Sequence, residues 1–555
     1  MPSSSTLARP DSWGKLILIF LIWSHLHCPL LYLHVRAVLP GSWELLVENG
    51  GVSAMHMTLT YLNTVIIYDR TDYGPSEIKL PDGRCRHDPR DMALKVDCYA
   101  HSVELDLSTN SVRPLEVLTD TWCSSASFLA DGTLVSTGGW NDGSNVVRML
   151  VPCNDNRCDW NERPDRLGAS RWYASNHILP DNTVIVVGGR RSFSYEFVPT
   201  GTTFSLPFLY ETNEPSSENN LYPFLHLSSD GNLFVFANSK SILLDYKTNR
   251  VVRKFPELPG GGSRNYPSSG SSVALPLSAS DGFRRVEVMV CGGAPHGAWQ
   301  QVAKMAYPQA LATCGRMVIT DADPEWSMEE MPSGRVMSDM LILPTSEILI
   351  VNGAKQGTAG WGCAVNPSLS PFLYNPSGPT SSGSRFRVLA ASTIPRMYHS
   401  SAILLPDGRV LVGGSNTNEG YTFSDVPFPT ELRIEAFRPY YLDPSFDAQR
   451  PRIVAVSPVE IGYGALFEVD FTVGDEGSSG SNDTVEFKVY APSFSTHSTQ
   501  MNQRQLLLEP VSVSVSARIG SKNSHGSSSS SSFIVWRAVV KAPPSAIAAP
   551  SGYYL

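Results

Sequence analysis

The chain has 555 residues, 42% of them hydrophobic and only 17% charged, with 43 glycines and 41 prolines. That is too long for one ordinary domain and reads as turn-rich all-β structure rather than helical or disordered chain. The formal net charge of -9 comes with no long basic stretch, which argues against nucleic acid or another polyanion as partner, because phosphate binding needs clustered Lys and Arg.

In chain order, Arg9 and Lys15 precede the apolar run Leu16 to Trp23, the charged and greasy parts of a secretory signal peptide, here read as residues 1–37 with cleavage near Ala37. A membrane anchor is disfavoured, since His25, His27 and Pro29 interrupt the run before the roughly 20 residues needed to span a bilayer. The expectation is a secreted, extracellular protein with no stable membrane span, placed in the apoplast or cell wall if the source is a plant. Removing that segment removes Cys28. Of the remaining eight cysteines, Cys85 with Cys98, Cys153 with Cys158 and Cys291 with Cys314 are spaced closely enough to pair in an oxidising compartment. Cys123 and Cys363 have no evident partner. Asn482 opens one acceptor sequon, in keeping with secretion.

From residue 38 to 437 one pattern recurs: apolar strand, Asp-Gly-like turn, second apolar strand, Gly-Gly. It is clearest in SASFLADGTLVSTGG (Ser125 to Gly139), SNHILPDNTVIVVGG (Ser175 to Gly189) and SAILLPDGRVLVGG (Ser401 to Gly414). Weaker copies run from Leu225 to Asn238, Val273 to Gly293 and Asp339 to Gly353, and a degenerate one from Met55 to Tyr68, seven in all. A period of about 50 residues is that of kelch repeats, each a four-stranded blade, so this region is predicted to be a seven-bladed kelch-type β-propeller. In such a ring, residues at equal offsets sit at equal heights around the axis. Cys123, Tyr173 and Tyr222 each lie eight residues before the turn's Asp (131, 181, 230), and Tyr398 lies nine before Asp407. All four are expected at one end of the central channel, with His399 beside them.

Residues 438–452 read as a Pro-rich linker. Residues 453–555 read as an immunoglobulin-like β-sandwich built from VEFKVYAP (Val485 to Pro492), RQLLLEPVSVSV (Arg504 to Val515) and FIVWRAVVKAPP (Phe533 to Pro544). Glu476 to Asn482 and Gly520 to Ser532 are Gly/Ser-rich loops.

The segments TWCSSASFLADGTLVSTGG, SRWYASNHILPDN, PRMYHSSAILLPDGRVLVGG and FSTHSTQMNQR resemble the active-site segments of the galactose oxidase and glyoxal oxidase family of copper-radical oxidases. GSWELLVENGGVSAMHM and RVMSDMLILP are most similar to plant glyoxal oxidase-like proteins. The resemblance implies one copper ion held by Tyr173, Tyr398, His399 and His497, with Tyr398 axial. It also implies a thioether between Cys123 and Tyr173, the pair serving as a self-derived radical cofactor. Imidazole nitrogen and phenolate oxygen suit tetragonal Cu(II). Thioether substitution lowers the oxidation potential of the ring, which gives Cys123 a use that a disulfide would destroy. Tyr222, Arg264, Tyr266 and Arg335 are candidate substrate contacts, with plain packing as the competing account of each. Trp122, Trp140, Trp172 and Trp361 are candidates for the indole that shields the radical.

The implied activity is oxidation of small aldehydes such as glyoxal or methylglyoxal to carboxylic acids, with dioxygen reduced to hydrogen peroxide. Two alternatives stand: a primary-alcohol oxidase of the galactose type using the same residues, and a non-catalytic propeller that binds a partner or a wall polymer. Fewer than 20 residues lie between Ala37 and the first repeat, which leaves out the carbohydrate-binding module of galactose oxidase and favours a small aldehyde. The family's second domain continues through one more strand after a segment like SGYYL, so an open sheet edge is expected. On that ground His497 is the ligand most exposed to a loosened domain.

Overall fold

The Asp of each clear turn does the same work: the carboxylates of Asp131, Asp181, Asp230 and Asp407 accept the N–H two residues on. The next residue, Gly132, Asn182, Gly231 or Gly408, takes a positive φ that Gly and Asn tolerate. The hairpins so closed are the innermost strands of four of the seven four-stranded sets among the described residues. These residues, in a computed structural model, are 40–164, 166–199, 201–379, 385–447, 450–473, 485–520 and 532–555. The segment 1–37 (with Cys28) read as a signal peptide, the Asn482 sequon and the Gly/Ser-rich stretches 476–482 and 521–531 lie outside them.

The first strands are β1 (His56–Leu59), β2 (Ser125–Phe128), β3 (Ala174–Ile178), β4 (Phe224–Leu227), β5 (Ser271–Ala274), β6 (Asp339–Ile342) and β7 (Ser400–Leu404). Each begins an antiparallel set of four strands. The inner strands are almost wholly buried, whereas an outermost strand such as Arg250–Lys254 faces water. Six sheets take their four strands in chain order; the seventh takes its outermost strand from Ser42–Val47, paired with Ile434–Arg438. That closure was not foreseen from the repeat.

The decisive piece comes from the far end of the chain. A hairpin of Phe494–Thr496 and Thr499–Met501 pairs with β1, Met57 opposite Ser495 and His56 opposite Thr496, and lies beside all seven inner strands. Buried polar side chains fix it there, because buried polar groups must find partners. Gln500 Nε2 and Ser495 Oγ donate to Asp339 of β6 at 2.7 and 3.3 Å. Asn502 Oδ1 accepts from Ile178 N, and Gln503 Oε1 from Ile342 N. His497, at the turn of this hairpin, is therefore tied to the repeat sheets as well as to the C-terminal region from which it was expected to take its position.

Beyond the 3-10 turns Tyr440–Leu442 and Pro444–Phe446, a four-stranded sheet is ordered Arg452–Ser457, Leu466–Thr472, Ser532–Lys541, Pro510–Gly520. A second sheet combines Phe487–Ala491, Arg504–Leu508 and the short parallel strand Leu277–Ser278. The segment read as one unit from Arg504 to Val515 is thus two strands in two sheets, broken where Glu509 and Pro510 meet, since proline cannot donate to a ladder. Phe467, Val469, Phe471, Leu506, Leu508, Ala538 and Val540 form one buried cluster with Phe234, Phe236 and Val288 of the repeat sheets. On the free side of Phe487–Ala491, Leu555 and Tyr490 exchange two backbone hydrogen bonds. The three disulfides expected from spacing are present, and Cys123 and Cys363 are free thiols.

Candidate metal centre

A single backbone device delivers the side chains. One or two residues before six of the inner strands the chain adopts the left-handed conformation: Cys123 (φ 55°), Tyr173 (67°), Tyr222 (51°), Ser269 (41°), Met337 (60°) and His399 (61°). For such residues this costs about 1–3 kcal/mol each and persists only where the surroundings hold it. Here they do: Tyr173 N donates to Cys123 O at 3.0 Å, Tyr222 N to Tyr173 O at 2.9 Å and Met337 N to Ser269 O at 2.6 Å. The Gly-Gly ends permit the close approach of neighbouring sheets. A Cβ on Gly138 would stand 2.0 Å from Arg171 O, and one on Gly139 2.0 Å from Asp120 O. In the seventh sheet the left-handed residue is His399, eight before Asp407; Tyr398, taken as equivalent from the sequence, is the residue before it.

Five predicted residues meet. Sγ of Cys123 and the ring nitrogens of His399 and His497 lie within 4.8 Å of one another, all buried. His497 Nε2 is 3.2 Å from Cys123 Sγ, and its Nδ1 is fixed by Thr496 Oγ1 at 2.7 Å. His399 Nε2 is buried with no hydrogen-bond partner among the described residues, and its ring is 4.9 Å from that of His497 and 3.8 Å from that of Tyr398. Tyr173 OH donates to Tyr266 OH at 3.2 Å, which is 2.9 Å from Tyr398 OH. Tyr266 thus bridges the two phenols. Tyr222 stacks on His497 with ring centroids 5.0 Å apart and donates its hydroxyl to Ser124 O, the geometry of a packing partner.

Arg264 and Arg335 are not brought to this cluster by their charged ends. Arg264 Nη1 donates to Gly292 O at 2.6 Å and Arg335 Nη1 to Asn352 O at 3.0 Å. Arg171 and Arg396 do the same for Gly188 O and Gly414 O. These buried guanidinium groups satisfy the carbonyls at the ends of the hairpins, a structural duty repeated from sheet to sheet, and this replaces the substrate contacts expected of Arg264 and Arg335.

Four indoles cover the cluster. Trp172 lies 4.7 Å from the Tyr173 ring, Trp140 4.1 Å from Trp172, Trp122 5.0 Å from Trp172, and Trp361 stacks on Trp122 at 5.2 Å. Trp172 is the one in contact with Tyr173. Trp361 and Cys363 sit on the loop of the hairpin Ala354–Gly357/Ala364–Pro367. Arg70, which the repeat pattern did not single out, places its guanidinium 4.6 and 4.7 Å from the Trp122 and Trp361 rings.

The donor set suits a cation such as Cu(II). Burial pushes the His399 and His497 imidazoles well below their usual range, which keeps them in the neutral, ligating form. Burial, aided by the neighbouring thiol and phenols, pushes Tyr173 and Tyr398 well above the ordinary phenol range, so they ionise only beside positive charge, which a bound metal supplies. An unsatisfied buried nitrogen on His399 costs free energy that a metal bond would recover.

Comparison with known proteins follows the geometry. The family model described as glyoxal oxidase N-terminus matches residues 55–441, and that of the galactose oxidase-like early set domain matches 450–555. The chain is 48% identical over 527 residues to aldehyde oxidase GLOX1 of Arabidopsis thaliana, covering 93% of this chain and 82% of that one. It is 46% identical over 523 residues to aldehyde oxidase GLOX of Vitis pseudoreticulata, covering 94% of each. Among solved structures, a fungal alcohol oxidase of the AA5 family, in complex with copper, superposes with a TM-score of 0.65 at 17% identity, over 93% of this chain and 95% of that one; this likeness speaks to the fold. With a family model matched over most of its length and relatives near half-identical across more than nine-tenths of it, the chain belongs to the glyoxal oxidase family.

Proposed function

We propose that this protein is a copper-dependent aldehyde oxidase that converts small aldehydes of the glyoxal and methylglyoxal kind, as hydrates, to carboxylic acids while dioxygen becomes hydrogen peroxide. The observation that carries the proposal is the buried meeting of His399, His497 and Cys123 with the linked phenols of Tyr173, Tyr266 and Tyr398. In this reading Tyr173, Tyr398, His399 and His497 are the copper ligands, and the seven sheets are blades of a closed propeller spanning 38–437. A linker over 438–452 and an immunoglobulin-like sandwich over 453–555 follow, and residues 1–37 direct secretion.

Copper bound there supplies a Lewis acid and a one-electron acceptor beside the phenols. Tyr398, as phenolate, takes the proton released from the substrate hydroxyl. Cys123, joined to the Tyr173 ring, lowers that ring's oxidation potential so that it holds the second oxidising equivalent. Thr496 fixes the tautomer of His497, leaving Nε2 to ligate. Trp172 and the other indoles keep bulk water from the ring. Overall the aldehyde hydrate loses two electrons and two protons, and dioxygen receives them.

Two measurements test this. Peroxide release should be strong with methylglyoxal and weak with galactose; activity on the sugar alone would overturn the substrate assignment. After copper loading, the tryptic peptides holding Cys123 and Tyr173 should run as one species, lighter than their sum by two hydrogens. Recovery of both as free peptides, with no copper retained, would reject the oxidase.

A further inference from the structure

Electron-rich rings in contact lead from Tyr173 to the surface. Trp172 is 8% exposed and stands 4.7 Å from Tyr173. Trp140, half-buried, stands 4.1 Å from Trp172. Both line an open groove of about 340 Å³ with Ser144, Ser170, Arg190 and Arg191. Arg191 is exposed and makes no ion pair among the described residues. From these contacts we propose that Trp172 and Trp140 form an exit path for one electron from Tyr173, and that the groove is the docking point of an anionic one-electron oxidant. The inference rests on the copper-radical reading above.

The step balances without moving a proton. Tyr173, already a phenolate when it serves as a ligand, gives up one electron through the two indoles, and an outer-sphere anion such as hexacyanoferrate(III) is reduced to hexacyanoferrate(II). Trp172 Nε1 is buried with no acceptor among the described residues, so no base draws a proton from this indole, and the two rings in contact serve as the coupling medium for the electron leaving Tyr173 without being oxidised themselves. The second branch, Trp122 to Trp361, lies against the Arg70 guanidinium, whose charge opposes a hole on either ring. Arg190 lies over Trp172 as well, but its charge is balanced by Glu218 at 3.1 Å. The exposed Arg191 draws anions to the groove by a field that salt screens.

The test uses the Cu(II)-loaded protein with Tyr173 not yet oxidised, mixed rapidly with hexacyanoferrate(III), following the optical band of the oxidised site and the loss of the Cu(II) electron-spin signal. Trp140→Phe should slow oxidation by about an order of magnitude with the final yield unchanged. Arg191→Glu, a change at an exposed side chain checked for folding by circular dichroism, should slow it several-fold at low salt and reverse the sign of the ionic-strength dependence. Wild-type rates in both variants overturn the path while leaving the oxidase reading in place. A wild-type protein that retains copper yet cannot be oxidised to the radical form overturns that reading and the path with it.

Discussion

Strained backbone just before the inner strands places cysteine, tyrosine and histidine at equivalent positions in their sheets. The left-handed turn aims whatever residue sits there, so chemistry is set by side-chain identity on a repeated frame. Around that frame the supporting hydrogen bonds are specific. Thr496→Val removes the group that orients His497 and should weaken copper binding about 10–100-fold, read by chelator competition, with the fold unchanged by circular dichroism. Tyr266→Phe removes the hydroxyl between Tyr173 and Tyr398. It should shift the pH profile of kcat while copper content stays at wild-type level, because the phenols lose a shared partner and not a ligand.

At the scale of the element, the Phe494–Thr496/Thr499–Met501 hairpin joins chain ends that the sequence keeps apart, and Asp339 is its main anchor, accepting from Gln500, Ser495 and Asn352. Asp339→Ala should destabilise the protein by about 2–4 kcal/mol in urea and lower copper occupancy, since it strips three buried donors of their acceptor. Burial raises the Asp339 carboxyl from 3.8 to about 7. The folded state then holds a proton that the unfolded chain releases above about pH 4. Its contribution to stability is full below that value and falls as pH rises through about 7. Asp339→Asn, with no proton to lose, should therefore show a flatter stability profile between about pH 4 and pH 7 than the wild type.

For the whole molecule, the strand Ser42–Val47 completes the seventh sheet from the opposite end of the repeat region. Its Trp43 packs on Phe437 with ring centroids 5.0 Å apart and donates Nε1–H to Ala390 O at 2.8 Å. Trp43→Ala should cost about 2 kcal/mol, below the ~3–5 typical of a fully buried tryptophan because this one is partly exposed. The loss should appear as a lower thermal midpoint of the repeat sheets while isolated copper-site spectra remain unchanged.

Much of this was legible in the sequence. Hairpins with Asp at the turn and Gly-Gly at the end are local rules of backbone conformation, so Cys123, Tyr173 and Tyr222 could be set at one height by counting residues. The three disulfides followed from short spacing. What counting could not give was any relation without a sequence period. Tyr266 bridging two phenols, Arg70 against two indoles, and Arg264 and Arg335 spent on carbonyls all depend on which sheet faces which. The same holds for His497, whose support comes from Asp339, Ile178 and Ile342, more than 150 residues earlier in the chain. Turn chemistry acts over two to four residues and is written in the sequence. The metal centre is assembled by burial and hydrogen bonding between sheets that meet only when the chain has folded.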